Sequence, residues 1–344
     1  MGWEVWRRFA KLFQRRITTL VGVDFGQGAV KVVEVSLKGA RPYLRTLAIV
    51  EVPTAYRSEN VDSESYGMSG LKIDSNLLKT LLHRALAVSG IKAKDAVLAI
   101  GGKWLFMREV TFPELPPEEL AEAIKWDIPK YVPYEPDSYE FDYSITGQKA
   151  ETGELRVLIA AAPKKAVRQL TKIAREVGLK PLAVDIEPLA VQRTMVGAEN
   201  AMVVDVGAEN TQISLFQQGN PVFTRVVSVR GSCIEAALKR VGEDAAAMVE
   251  LESIVAELGQ EVGRTAQFFT QQNKQATIDK VIVSGFTENE KLVDLLRAKV
   301  DLPVVEHEPL AGLEVNRSFA TDYLRQVGPQ LAVAIGLALR GAEA

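Results

Sequence analysis

The chain has 344 residues and a formal net charge of −3, and 47% of its residues are apolar. This length allows about two domains with their own cores, and the small negative charge argues against a general nucleic-acid-binding protein, which needs a strongly basic face. One cysteine excludes an internal disulfide, and two separated histidines give no metal-ligand spacing. No apolar run reaches the roughly 18 residues of a membrane-spanning helix. We therefore expect a cytoplasmic protein.

The first 16 residues predict a basic amphipathic helix. Met1–Arg16 holds five cations and one acidic residue, and Trp3, Trp6, Phe9 and Phe13 recur at helical spacing. Indole rings and cations suit the surface of an anionic membrane. The same apolar face would equally suit docking on this protein or on a neighbouring subunit, and the sequence leaves both alternatives open.

Residues Gly22–Ser36, GVDFGQGAVKVVEVS, predict two strands joined by a glycine turn. An apolar run ends at Asp24, breaks at Gly26 and Gly28 and resumes as a strand pattern. Glycines at such a turn let backbone N–H groups approach an anion, and an acidic residue at the strand end can hold a hydrated divalent cation. The third glycine of a dinucleotide-binding fingerprint and the Gly-Lys-Ser/Thr of a Walker A loop are both missing. The stretch therefore predicts a hairpin that cups phosphates, with an ordinary β-turn as the alternative.

An α/β insert follows the first group of elements. Those elements are a strand, an amphipathic helix and a buried strand, at Tyr43–Val52, Asp74–Ser89 and Ala96–Ile100. A change of composition at Thr111 leads into a helix that Pro117 starts and Pro129 stops. Two strands and a second helix complete the insert, at Glu140–Ile145, Leu155–Ala162 and Lys164–Val177. An insert of this kind between two halves of a larger sheet indicates a subdomain.

The opening stretch recurs later in the chain. Met202–Phe216, MVVDVGAENTQISLF, repeats the apolar strand, the aspartate, the glycine two residues further on and the second strand, and 181 residues separate Asp24 from Asp205. A repeat at this distance indicates duplication of a whole domain. Ser232 and Glu235 then predict a capping box at a helix start. The later predicted elements are a long helix, a strand and a C-terminal helix, at Ala246–Gln271, Lys280–Val283 and Gly328–Arg340.

Together these features resemble one superfamily. The paired Asp-x-Gly hairpins, a strand-to-helix turn with Asp185 and Glu187, a Ser-Gly turn at Ser284 and a small-residue C-terminal helix are similar to those of the actin, Hsp70 and sugar-kinase ATPases. Within it, the segments IKWDIPKYVPY, AAPKKAV and GLKPLAVDIEPLA resemble the PilM family of cytoplasmic, actin-like type IV pilus assembly proteins. The resemblance implies an α/β fold class: a duplicated actin-like (ribonuclease H-like) ATPase fold, with two domains around a nucleotide cleft and an inserted small α/β subdomain.

The domain boundaries implied by this resemblance divide the chain into five parts. These are an N-terminal helix, a first actin-like subdomain, the insert, a second actin-like subdomain and a helical subdomain. In that order they comprise residues 1–16, 17–110 with 181–200, 111–180, 201–235 with 278–344, and 236–277.

The resemblance also implies ATP or ADP with Mg²⁺ between the two halves. The phosphates would contact the two hairpins at Asp24, Gly26, Gln27, Gly28, Lys31, Asp205, Gly207, Asn210 and Thr211. The nucleoside would contact Glu261, Arg264, Ser284, Gly285 and Phe286. The metal would be held through water by Asp24, Asp185 and Asp205.

Catalysis is less well defined than binding. Asp185 and Glu187 are the candidate catalytic residues, but Asp185 could instead cap the following helix, and Arg264 could be a solvated helix cation. No residue is identified as the base that activates water. Hydrolysis needs positioning and charge stabilisation, whereas binding needs only the cradle, so the sequence supports ATP binding better than ATP turnover.

The resemblance implies one principal partner, the cytoplasmic N-terminal peptide of the inner-membrane protein PilN, held in a groove between the first subdomain and the insert. Trp126, Tyr131, Pro133 and Tyr134 are candidates for this groove because aromatic side chains give large contact areas at modest entropic cost; packing within the insert is the alternative. Pilus motor ATPases, a platform protein, self-association and a position peripheral to the inner membrane are further expectations. An FtsA-like cell-division protein and a small-molecule kinase are the alternative functions.

Overall fold

The computed structural model describes residues 18–37, 41–56, 74–149, 152–197, 199–242, 244–274, 276–287 and 289–341. The helix predicted for residues 1–16 lies outside this part of the chain. Of the helices within it, none is both long enough and apolar enough to cross a membrane.

The described residues form fourteen strands and nine α-helices. The strands are β1 (Thr19–Phe25), β2 (Ala29–Ser36), β3 (Tyr43–Glu51), β4 (Asp95–Ile100), β5 (Phe106–Phe112), β6 (Tyr139–Gln148), β7 (Leu155–Pro163), β8 (Lys180–Ile186), β9 (Ala201–Val206), β10 (Thr211–Gln217), β11 (Asn220–Val227), β12 (Lys280–Ser284), β13 (Val304–Glu306) and β14 (Glu314–Val315). The helices are α1 (Ser75–Ser89), α2 (Pro117–Tyr131), α3 (Lys164–Glu176), α4 (Glu187–Gln192), α5 (Gly231–Arg240), α6 (Ala245–Gln272), α7 (Asn289–Arg297), α8 (Thr321–Val327) and α9 (Ala332–Ala338).

Five strands of each large sheet share one order, as the repeat in the sequence predicts, and β14 adds a sixth strand beside β3 in the first sheet. The first runs β14-β3-β2-β1-β4-β8 and the second β11-β10-β9-β12-β13. In each, a three-stranded antiparallel meander is extended by two parallel strands. The strands are buried on both faces, so that neighbouring residues such as Val32 and Val33 are both inaccessible to solvent, which is typical of a sheet covered by helices on both sides.

A third sheet, of order β5-β7-β6, lies in the insert. Helix α2 packs on it through Leu120, Ile124 and Ile128, as the sequence predicts. The helix runs on to Tyr131, however, with Pro129 inside it, because a proline in the last turn removes one hydrogen bond without ending the helix. The implied subdomain boundaries remain predictions.

Two other local predictions are wrong. The predicted capping box does not form: helix α5 begins at Gly231 without a side-chain cap, and the Ser232 hydroxyl donates to the carbonyl oxygen of Ala208 at 2.8 Å instead. The C-terminal helix is shorter than predicted, because 3-10 turns at Pro329–Leu331 and Leu339–Gly341 flank α9.

Helix α9 is buried between the two halves. All seven of its residues are buried, and its side chains share a core cluster with Leu20 of the first sheet and Val203 of the second. Two glycines allow its close packing: a Cβ at Gly22 would overlap the α9 backbone at Ala334, and a Cβ at Gly336 would overlap the carbonyl oxygen of Ala190 in α4. The neighbouring atoms at both glycines belong to the backbone, so rotation of a neighbouring side chain cannot make room for an added Cβ.

We expect Gly336→Ala to lower the free energy of unfolding by about 1–3 kcal/mol, since the added methyl group must push apart two packed helices. The matched control is Gly263→Ala in α6, where no atom lies within 4 Å of the added Cβ; there alanine should raise the stability by up to about 1 kcal/mol through helix propensity. Urea unfolding measures both. Equal stabilities for the two variants would contradict the close packing of α9.

Candidate functional site

The first hairpin, β1 and β2 with their connecting turn, brings an acid and a cation together. Asp24 and Lys31 face each other across the antiparallel pair, and Lys31 Nζ lies 3.0 Å from Asp24 Oδ2. The Asp24 side chain is almost completely buried. A buried ion pair of this kind needs further polar partners to offset its desolvation, and the second hairpin supplies charged groups nearby.

The second hairpin, β9 and β10, has the same register with one change. Asp205 faces Gln212 across the pair, and the spacing of seven residues equals that from Asp24 to Lys31. Gln212 is buried and therefore takes the place of the lysine in the second half. Gln212 was not among the predicted site residues, although the seven-residue spacing of the first hairpin identifies its position in the second.

The turns of the two hairpins touch. The Asn210 amide donates to Gln27 Oε1 at 3.2 Å, and a Cβ added at Gly28 would lie 2.6 Å from the Ala208 Cβ. The predicted glycines are equivalent as well: a Cβ at Gly26 or Gly207 would lie 2.9 or 2.8 Å from the carbonyl oxygen three residues later. The close approach of both backbones therefore depends on these glycines.

A cavity of about 690 Å³, called the cleft below, opens beside the hairpins. The predicted site residues that line it are Asp24, Gly26, Gln27, Lys31, Glu187, Asp205, Gly207, Asn210 and Gly285. Gln212, Gly101 and Gly102 line it too. Its volume is within the range of small-molecule and cofactor sites.

Glu187 begins α4, directly after strand β8, and its carboxyl group lies against the turn that follows β4. A Cβ at Gly101 would overlap this carboxyl group. The N–H of the next residue, Gly102, donates to Gln212 Oε1 at 3.0 Å. Elements of both halves thus meet at the Gly102–Trp104 3-10 turn.

The charges in the cleft perturb one another. Burial, assisted by the charges of Asp24 and Asp205, raises the pKa of Glu187 to about 8, against opposing effects of Lys31 and the Gly102 N–H. Burial likewise raises the pKa of Asp205 to about 6. Burial alone would lower the pKa of Lys31, but the neighbouring carboxylates raise it overall. Around Lys31, the three carboxyl groups of Asp24, Glu187 and Asp205 therefore outnumber the one cation that interacts with them.

Asp185 does not line the cleft. Its buried carboxylate contacts Arg193 at 2.9 Å and Arg340 at 3.0 Å, and its Oδ1 accepts from the N–H of Ile186. Among the described residues no three metal-ligating side chains lie close enough to hold an ion. The metal role of Asp24, Asp185 and Asp205 therefore stays a prediction.

Several residues predicted to contact the nucleotide lie elsewhere. The Thr211 hydroxyl donates to the carbonyl oxygen of Val229 at 2.8 Å, and the buried Ser284 hydroxyl contacts His307 Nδ1 at 2.9 Å. Phe286 packs in the core of the second half. Glu261 pairs with Arg225 and Arg264 on the surface of α6. Of the predicted nucleoside contacts, the structure brings Gly285 to the cleft lining.

The cleft continues to the insert along an aromatic wall, called the groove below. Trp104, Phe106, Pro133 and Tyr134 line it, and the Tyr134 hydroxyl donates to the carbonyl oxygen of Trp104 at 3.1 Å. Two of the predicted partner residues, Pro133 and Tyr134, are therefore placed here. Trp104 and Phe106 lie two and four residues after Gly102 and were missed because the chain around them gives no helical or turn signal.

The other two predicted partner residues lie outside the lining. Trp126 is 81% exposed on α2. Tyr131 packs against the insert core, with the Arg108 guanidinium 5.7 Å from its ring centre. An indole side chain exposed to this extent is unusual on a surface that contacts only solvent.

Comparisons with known proteins agree with this architecture. A family model described as "Type IV pilus assembly protein PilM" matches residues 22–241 and 234–342. A solved structure, the "PilM-PilN type IV pilus biogenesis complex", is similar with 26% identity and a TM-score of 0.77, and the match covers 96% of this chain and 100% of that one. The ethanolamine utilization protein EutJ from Carboxydothermus hydrogenoformans is similar at 15% identity, with a TM-score of 0.52 and coverage of 98% and 99%. The predicted duplicated actin-like ATPase fold is confirmed.

The pKa of Glu187 leads to a prediction about stability. In the unfolded chain this carboxyl ionises near its ordinary value of 4.5, whereas in the fold it keeps its proton to about 8. The folded state binds more protons in this interval, so this group makes stability fall as the pH rises. We expect Glu187→Gln, which cannot ionise, to gain in unfolding free energy relative to the parent between about pH 4.5 and 8, by at most about 1.4 kcal/mol per pH unit.

Urea unfolding over this pH range, without divalent cations, measures the difference. The exposed Glu250, paired with Arg240 on the surface, provides the control variant Glu250→Gln, whose difference from the parent should stay flat. Parallel curves for Glu187→Gln and the parent would contradict the raised pKa.

Proposed function

The chain belongs to the type IV pilus assembly protein PilM family, and we propose that it is an ATP-binding scaffold that holds the cytoplasmic N-terminal segment of a PilN protein. Its nucleotide would lie in the cleft and its peptide partner in the groove. The observation that carries this proposal is the pair of equivalent hairpins that present Asp24, Lys31, Asp205 and Gln212 to one cavity.

The residues of the cleft fit a magnesium nucleotide. Glycine turns expose backbone N–H groups to phosphate oxygens, and the lysine adds a charged donor. Asp24, Glu187 and Asp205 bring three carboxyl groups near the single cation of Lys31, and a divalent cation would neutralise this excess. Mg²⁺ keeps several of its waters in phosphate sites, so Asp24 and Asp205 would hold it through water. When bound, the metal supplies positive charge beside the phosphates.

Phosphate recognition is assigned to the hairpins. We propose that Gly26 and Gly207 provide backbone donors, with Lys31 and Gln212 as side-chain donors from the first and the second half; Gly28 lies outside the cleft lining, where it packs against Ala208. Gly285, beside Asp205 at the cleft wall, is the best-placed of the predicted nucleoside contacts. Contacts from Glu261, Arg264, Ser284 and Phe286 would need a different arrangement of these residues.

Slow or absent hydrolysis is part of the proposal. A general base must be ionised to take a proton from water, and Glu187, the predicted candidate that lines the cleft, has a pKa of about 8. Without a metal it is therefore largely protonated at neutral pH, and the other predicted candidate, Asp185, lies outside the cleft lining. Binding without rapid turnover suits a scaffold.

The groove suits an apolar peptide segment. Its aromatic and proline side chains offer contact area, and rigid aromatic residues often contribute most to peptide binding. The similar solved structure is a complex of a PilM with a PilN, which supports a PilN segment as the occupant. The family membership favours this function over the FtsA-like and kinase alternatives.

The proposal extends to the surroundings of the protein. We place it at the cytoplasmic face of the inner membrane, where bound PilN would link it to the pilus motor ATPases and the platform protein. Residues 1–16 would add contact with anionic lipid headgroups.

We expect Asp205→Asn to weaken Mg·ATP binding at least 10-fold at pH 7.5, because the substitution keeps the shape of the side chain and removes the charge that faces the metal. Isothermal titration calorimetry with Mg·ATP measures the affinity, and thermal unfolding confirms that the variant is folded. Glu250→Gln, which removes an exposed acid on α6, should bind as the parent does. An unchanged affinity in Asp205→Asn would contradict the assignment of the cleft.

We expect Tyr134→Ala to weaken binding of the PilN peptide about 10-fold, since its ring lines the groove and its hydroxyl fixes the Trp104 carbonyl. Trp126→Ala should weaken it about 2-fold at most, because this indole lies outside the lining. Fluorescence anisotropy of a labelled N-terminal PilN peptide measures both. Tyr323→Ala, at another exposed aromatic residue, is the control. A larger loss in Trp126→Ala than in Tyr134→Ala would move the binding site to the outer face of α2.

A further inference from the structure

One short turn belongs to both parts of the cavity. The Gly102–Trp104 turn follows strand β4, and its first residue lies beside the hairpins while its last residue lies in the groove. Backbone hydrogen bonds close the turn, from Trp104 N–H to Gly101 O and from Leu105 N–H to Gly102 O, both at 3.3 Å. A segment this short moves as a unit, so its two ends are mechanically coupled.

The cleft end of the turn is fixed by the other half of the molecule. The Gly102 N–H donates to Gln212 Oε1 at 3.0 Å, and Gln212 is paired in register with Asp205. The side-chain amide of Gln212 carries both an acceptor and a donor. Its oxygen accepts from the Gly102 N–H, and its NH₂ group can donate to an anion at the same time. Glu187, which lies against Gly101, adds a second contact to the same end.

The groove end is fixed by the insert. The Trp104 carbonyl accepts from the Tyr134 hydroxyl at 3.1 Å, and the Trp104 side chain packs in the cluster that contains Leu158 and Ile186. The hydrogen bonds Gln212–Gly102 and Trp104–Tyr134 thus form a continuous path from the second hairpin to the wall of the groove.

We infer that Gln212 and the Gly102–Trp104 turn couple the two binding sites, so that Mg·ATP in the cleft raises the affinity of the groove for the PilN peptide. The inference rests on the proposed nucleotide and peptide binding. Its sign follows from the donor and acceptor roles: a phosphate that takes the NH₂ group of Gln212 holds the amide oxygen towards Gly102, which orders the turn that the peptide must contact. Gln212 is a positioning residue here, acting on the groove through the turn.

The coupling is measured as a ratio. Anisotropy titrations of the labelled PilN peptide, without nucleotide and with saturating Mg·ATP, give two dissociation constants for each variant. We expect the parent to bind the peptide about 5- to 10-fold more tightly with Mg·ATP, within the usual range of coupling between sites. The ratio should fall towards 1 in Gln212→Ala and in Tyr134→Phe, which keeps the ring and removes the hydroxyl. Glu250→Gln, at an exposed acid of α6 outside the lining of the cleft and the groove, should keep the ratio of the parent.

The outcomes separate the inference from the proposal beneath it. If the parent binds both ligands but its dissociation constant for the peptide is the same with and without Mg·ATP, the coupling is overturned and the proposed function stands. A parent-like ratio in both Gln212→Ala and Tyr134→Phe also overturns it, because coupling would then follow another route. If the parent binds no nucleotide or no peptide, the proposed function fails and the inference fails with it.

Discussion

The close packing of helix α9 against strand β1 and helix α4 sets the geometry on which the cleft depends. Gly22 and Gly336 lie where any side chain would overlap backbone, so the helix approaches both elements at the minimum distance. The same helix shares a core cluster with both large sheets. The hairpins that end at the cleft belong to these two sheets, and their separation is therefore fixed by backbone contacts at a distance from the site.

The repeat made most of the fold predictable. The strands around Asp24 and Asp205, helices α1 and α6 and the insert elements α2, β6, β7 and α3 follow from apolar periodicity and from glycine and proline positions, because these signals are local in the sequence. Strand β5 of the insert sheet was not predicted. The short strands β13 and β14 escaped detection, since three and two residues carry no period. Ser232 shows another limit: its local pattern predicts an N-cap, but the helix begins at Gly231, so Ser232 lies inside the first turn and its hydroxyl donates to a carbonyl of the distant hairpin.

The site was predictable where the two halves repeat each other and less so elsewhere. Asp24, Lys31, Asp205, Gly26 and Gly207 reach the cleft because the register of a hairpin follows from its sequence. Thr211 does not, since strand alternation turns its side chain into the core. Residues assigned by resemblance alone, such as Glu261 and Phe286, depend on tertiary packing. The groove residue Trp104 was not predicted for the same reason: its role depends on residues that are close in space but distant in the sequence.

The exchange of Lys31 for Gln212 at equivalent positions breaks the pseudo-twofold relation between the two hairpins. A strictly duplicated cradle would receive a phosphate chain equally well in either direction. With a cation on one wall and a neutral amide on the other, the electrostatic potential has a gradient across the cradle, and a ligand with a charged head and an uncharged tail has one preferred orientation. The difference between Lys31 and Gln212 thus gives the two otherwise equivalent hairpins a direction along which a charged ligand is oriented.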